Sequence, residues 1–185
     1  MNGLQLLKYT AIALVTLTAL QSCSRSDDGG PPVPELGYTG YSKFKNTAGK
    51  DSFVTLNLTF KDGDGDIGLS ESDSVPPYSY GSPFFNNLFV EFYVIENGLP
   101  AKITSQFIGP DTLYKDTVNF SQRIKYLTPE GKNKSIKGRI DVITPFFLLD
   151  LATYKPDSVY YEITLVDRSL NRSNLIKTPL IMLDF

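Results

Sequence analysis

The chain has no histidine, no tryptophan and a single cysteine among its 185 residues. Without histidine there is no Ser-His-Asp or Cys-His pair to activate a nucleophile, and no imidazole to hold zinc or iron. One cysteine makes no internal disulfide. Any metal is therefore held mainly by oxygen, which narrows the choice to calcium, magnesium or manganese. A polybasic surface is missing as well: the formal net charge is -2, so nucleic acid is not an expected partner. The apolar run Tyr9 to Leu20 stops well short of the ~20 residues that a spanning helix needs. What remains is ordinary. Hydrophobic residues make up 41% and aromatics 12%, enough for the core of one domain.

The N-terminus reads as an address. Lys8 followed by Tyr9 to Leu20 has the layout of a signal peptide, expected over residues 1–22. The stretch Leu20-Gln21-Ser22-Cys23 resembles the lipobox of bacterial lipoproteins, although Gln21 stands where a small residue is usual. The resemblance implies cleavage before Cys23 and lipidation of Cys23, and so a membrane partner reached through the N-terminal lipid. Each buried methylene contributes ~0.8 kcal/mol, so two or three acyl chains anchor a protein stably. Residues 23–37 continue as "CSRSDDGGPPVPELG", too small, acidic and proline-rich to build a core, and read as a flexible tether. Its Ser-Asp-Asp resembles the acidic export signal of Bacteroidota surface lipoproteins. The implied location is the outer membrane, facing either the cell surface or the periplasm. Four Asp-Ser/Thr-apolar triplets, beginning at Asp73, Asp111, Asp116 and Asp157, resemble the periplasmic O-glycosylation sites of the same phylum.

From residue 38 onward the periodicity is two. In "FVTLNLTF" (53–60), Val54, Leu56, Leu58 and Phe60 share one face, and Thr55, Asn57 and Thr59 the other. "LFVEFYVIE" (88–96) is more apolar on both faces, as a central strand is. Val118, Phe120, Gln122, Ile124 and Tyr126 share a face, as do Ile136, Ile140 and Val142. A last pair, "SVYYEITLVD" and "NLIKTPLIML", is joined across "RSLNRS". About seven or eight short strands punctuated by Gly, Pro and Asn predict an all-β sandwich over residues 38–185. The closing "YYEITLVDRSLNRSNLIKTPLI" resembles the final hairpin of bacterial immunoglobulin-like domains, which implies an immunoglobulin-like sandwich.

One loop stands out. "FKDGDGDIGLSESD" puts Asp62, Asp64 and Asp66 at positions 1, 3 and 5 of a count that places Gly68 at 7, Ser70 at 9 and Asp73 at 12. The spacing resembles the calcium loop of EF-hands and of thrombospondin type 3 and dockerin repeats, with Ile67 in place of the glycine at position 6. The resemblance implies Ca²⁺ held by Asp62, Asp64, Asp66, the Gly68 carbonyl and Asp73. Two unit charges 4 Å apart repel by ~4 kcal/mol at an effective dielectric near 20, and a cation reverses that sign. Asp-Gly is also a strong turn signal, and carboxylates open to water splay apart at little cost. A cation loop and a plain solvated turn both fit the residues.

The connection "VPPYSYGSPFFNN" (75–87) carries Tyr78, Tyr80, Phe84 and Phe85, which either form a platform for a sugar or peptide or fold back over an open end of the sheet. Three kinds of function follow. The first is a non-catalytic envelope module binding a glycan or a protein, with a structural calcium. The second is a structural subunit of a secretion, gliding or nutrient-uptake machine. The third is a carboxylate-pair glycosidase, disfavoured because Glu91, Glu96, Asp141 and Glu162 sit singly in their strands.

Overall fold

The alternation around Val54 becomes a strand whose inward side chains are all but sealed from water. In the computed structural model, residues 30–108, 113–127, 135–146 and 156–184 are described. Among them ten strands follow in chain order: β1 (Glu35–Lys45), β2 (Asp51–Asp62), β3 (Leu88–Glu96), β4 (Leu99–Ala101), β5 (Thr104–Ile108), β6 (Leu113–Thr117), β7 (Ile136–Pro145), β8 (Ser158–Leu165), β9 (Ile176–Lys177) and β10 (Ile181–Met182). Three of the ten are only two or three residues long. The signal-peptide segment and Cys23 lie outside the described residues.

Two antiparallel sheets form the body. β2 runs between β1 and β7, and β8 and β3 form the centre of a five-stranded sheet that also holds β10, β9 and β4. β5 and β6 make a separate two-stranded ribbon. Val54, Leu56 and Leu58 of β2 and Val142 of β7 share one apolar core with Val90 and Phe92 of β3 and Tyr161 and Ile163 of β8. The protein is all-β with sandwich-like layering. Its core also holds one inter-sheet hydrogen bond. Thr144 of β7 donates to the Val54 carbonyl at 3.0 Å, and its Oγ1 lies 2.8 Å from the Tyr161 hydroxyl of β8. Burial pushes the Tyr161 phenol above its ordinary value, so this hydroxyl stays a donor.

The tether expected through residue 37 gives way earlier. β1 begins at Glu35, pairs with β2 from Glu35↔Lys61 onward, and buries Leu36. Its amide and carbonyl at Leu36 are both held by the Asn174 side chain, at 2.8 and 3.0 Å. The regular strand expected over residues 118–126 is also modified. Phe120 and Gln122 donate their amides to Val90 and Leu88 of β3, and the chain then leaves β3 to bond Leu69 of the acidic loop. Sharing its hydrogen bonds between two partners, the segment keeps only isolated bridges. The last arm splits into β9 and β10 around Pro179, which has no N–H for the ladder. Beside it Thr178 Oγ1 accepts from the Tyr161 amide at 3.0 Å, in place of a backbone carbonyl.

Candidate metal centre

Asp62 is the last residue of β2 and points into the protein, with 2% of its surface exposed. The chain turns sharply after it. Gly63 donates its amide to the Pro31 carbonyl at 3.0 Å, and a Cβ on Gly63 would stand 2.3 Å from that oxygen. Only glycine lets the two segments cross so closely. Gly65 takes a left-handed φ of 67°, and the Asp66 amide donates to Asp62 Oδ2 at 2.9 Å. The chain then re-enters the core through Ile67, which is fully buried, and Leu69. That return accounts for an isoleucine where the calcium-loop pattern has glycine.

The turn folds Asp62, Asp64 and Asp66 toward one centre, and a fourth carboxylate joins them from the other sheet. Asp167 follows β8, and one carboxylate oxygen from each of Asp62, Asp64, Asp66 and Asp167 lies within 4.8 Å of all the others. Asp167 was not among the residues the sequence pointed to. It is clasped by its own turn: the Asn171 amide donates to Oδ1 at 2.7 Å and the Asn171 side chain to Oδ2 at 2.9 Å. The same turn reaches the acidic loop. Ser169 donates to Asp66 Oδ2 from its amide at 3.1 Å and its hydroxyl at 2.7 Å, and the Arg168 amide donates to the Asp66 carbonyl at 3.2 Å.

These bonds occupy Oδ2 of Asp62 and of Asp66 and both oxygens of Asp167. Asp62 Oδ1, Asp64 Oδ1 and Asp66 Oδ1 are buried and accept nothing. An unpaired buried polar atom is costly, and an ionised one more so. Among the described residues no ion pair relieves the cluster. Arg168 pairs with Asp73 at 3.0 Å, and Lys61 faces Glu35 at 3.8 Å. The strain is visible in the acidity of the group. Burial, with the charges of Asp64 and Asp66 added, carries Asp62 from 3.8 to about 7. Asp167 is raised as well, first by burial and then by Asp66 and Asp64, against the opposing Asn171 bonds. Four converging carboxylates with three vacant, buried oxygens can hold a hard metal ion, with Ser169, Asn171 and the loop amides fixing their orientation.

Asp73, expected as the ligand at position 12, is elsewhere. Its Oδ2 accepts from the Ser70 amide and hydroxyl at 2.7 and 2.8 Å, and its Oδ1 pairs with Arg168. These donors hold its carboxyl below the ordinary value although partial burial opposes them. The short side chain closes its own turn instead of reaching back to the cluster. Gly68, expected to offer a carbonyl, is needed for a close approach: its φ is 98°, and a Cβ there would sit 2.1 Å from the Lys125 carbonyl.

The four aromatic residues of the 75–87 connection also separate. Tyr78 turns its hydroxyl onto the Arg168 carbonyl. Phe84 packs edge-on against Phe89, with centroids 6.3 Å apart. Tyr80 and Phe85 stand edge to face at 5.3 Å and line an open groove of about 620 Å³ with Phe89, Glu91, Lys102 and Asn119. Arg123 pins this connection. Its guanidinium donates to the carbonyls of Ser70, Asp73, Tyr78 and Phe85 at 2.8–3.1 Å. No family model matches the chain, and comparison with curated proteins and with solved structures gives no match either.

Proposed function

We propose that the chain is a lipid-anchored, non-catalytic binding module of the bacterial cell envelope, an immunoglobulin-like sandwich completed by a structural Ca²⁺. The observation that carries the ion is the convergence of Asp62, Asp64, Asp66 and Asp167, the first three of which each keep a buried, unpartnered oxygen. An all-oxygen, all-carboxylate set of adjustable geometry suits calcium, which takes six to eight oxygens, better than magnesium, which demands a tight octahedron. The ion would join the end of β2 in one sheet to the end of β8 in the other.

Outer-membrane attachment, at the cell surface or facing the periplasm, is supported by the lipobox-like Leu20-Gln21-Ser22-Cys23 and the tether behind it. A binding role, for a glycan or a protein, is supported by the groove beside Tyr80. A catalytic one finds less support. Glu91 and Glu162 face each other across β3 and β8, the one carboxylate pair placed in register among the described residues. Each is held by its own lysine: Glu91 by Lys102 at 2.7 Å and Glu162 by Lys177 at 3.3 Å. Lys102, and then Tyr93, hold the Glu91 carboxyl below its ordinary value, whereas a glycosidase acid needs the opposite shift.

Calorimetric titration of the full chain with Ca²⁺ tests the centre, with one equivalent bound in the wild type and heat lost in Asp64→Asn. Labelling cells with a palmitate analogue tests the anchor, the label being present in the wild type and absent in Cys23→Ser. An unlabelled wild-type chain would remove the envelope assignment.

A further inference from the structure

The groove has a composition that suits one class of ligand. Tyr80 is 90% exposed, and its ring stands at 79° to Phe85, so the two make an open aromatic corner. A large aromatic left that bare contributes little to the fold, and it offers a flat apolar face to a partner. The same groove is lined by a carboxylate, an ammonium and an amide, from Glu91, Lys102 and Asn119. Both donors of Glu91, Tyr93 and Lys102, meet its Oε2 at 2.8 and 2.7 Å, so the carboxylate is fixed in direction. As an ion pair, Glu91 and Lys102 cancel each other's charge, and among the described residues that line the groove no other is charged. The cavity of about 620 Å³ falls in the ~300–1,000 Å³ range of small-molecule sites.

An aromatic corner sharing a groove with a charge-paired carboxylate and an amide matches a neutral sugar ring, which has an apolar C–H face and a hydroxyl edge.

The wall that presents Tyr80 is wired to the carboxylate centre. Asp66 holds Ser169 and Arg168, Arg168 holds Asp73 through its guanidinium and Tyr78 through its carbonyl, and Arg123 ties Ser70 and Asp73 to Tyr78 and Phe85. A cation bound by both Asp66 and Asp167 favours the state in which the acidic loop and the 167–171 turn are closed together. That state is also the one in which the 75–87 connection is pinned. We propose that this groove binds a neutral saccharide, and that Ca²⁺ at the four-aspartate centre raises its affinity by holding the Tyr80–Phe85 wall without touching the sugar. The coupling rests on the calcium centre proposed above; the sugar site does not.

The test is a glycan array of neutral and acidic oligosaccharides, probed with the full chain in mild detergent, with Ca²⁺ and with EDTA. Thermal melts of the same samples run in parallel. The expected result is binding to one or more neutral glycans, weakened about ten-fold in EDTA. Tyr80→Ala should abolish that binding while the melting shift with Ca²⁺ is kept, and Asp64→Asn should weaken it in both buffers. Binding to acidic glycans only, to gelatin but no glycan, or to nothing overturns the sugar assignment, and an intact melting shift would leave the ion centre standing. Neutral-glycan binding that Tyr80→Ala does not alter overturns the groove. Equal binding in both buffers overturns the coupling, and the melts then show whether the ion centre failed with it.

Discussion

Asp62 closes a strand of one sheet and Asp167 follows a strand of the other, yet their carboxylate oxygens lie within 4.8 Å of each other. They are 105 residues apart in the chain (167 minus 62). Two buried like charges at that distance oppose folding, and a divalent cation between them would turn the same pair into a staple across the sandwich.

The position of Asp167 in the cluster, and of Asp73 outside it, separates their expected mutants. At a free Ca²⁺ concentration about a hundred times the Kd, the ion adds ~2.7 kcal/mol, which corresponds to roughly 5–10 °C in melting temperature for a chain of this size. Scanning calorimetry should find that shift in the wild type, and find it lost or greatly reduced in Asp167→Asn. Asp73→Asn should melt lower in every buffer, because Arg168 loses its partner, while keeping the calcium shift. The reverse pattern would return Asp73 to the ligand set.

A pH series gives an independent reading of the same cluster. With EDTA present, Asp62 is raised from 3.8 to about 7 in the folded chain, so the native state binds more protons than the unfolded one between those values. Stability contributed by this group should therefore fall as pH rises from about 4 to about 7. With calcium the carboxylates stay ionised, and the decline over that window should flatten. The melting gain from Ca²⁺ should accordingly be large at pH 8 and small at pH 5. An equal gain at both would mean that the ion does not compete with the Asp62 proton.

Two glycines fix the path of the loop, and they should fail differently from surface glycines. Gly68→Ala forces a side chain into a φ of 98° and against the Lys125 carbonyl, and Gly63→Ala drives a Cβ onto the Pro31 carbonyl. At Gly68 the strained backbone costs of order 1–3 kcal/mol before the clash is counted, whereas at Gly63 the clash alone acts. Gly49 has a φ of 78° with nothing within 4 Å of its Cβ position, so Gly49→Ala should cost less and leave calcium binding intact. Chemical denaturation of the three variants, each with and without Ca²⁺, checks the order.

Much of this was local enough to be legible in the sequence. Val54, Leu56, Leu58 and Phe60 alternate in "FVTLNLTF", and all four are buried, because in a strand the spacing of two alone decides the face. The spacing of Asp62, Asp64 and Asp66, with glycines between them, marked one acidic turn, but it fitted a solvated turn as well as a converging one. Less local choices were not legible. The "YYEITLVD" strand displayed Asp167, but a lone acid at a strand end carries no sign of what it will face. Asp73 had the right count for a ligand, and a nearby arginine from another turn took it instead.

The chain by itself determined the alternating strands, the acidic turn and the lack of any histidine or second cysteine to ligate a metal, since these follow from residue type and short spacing. Which carboxylates meet, which aromatics stay bare and which turn they are tied to were decided only by the packing of the sheets. Those contacts join segments as far apart as residues 62 and 167, and no pattern within either segment encodes its partner.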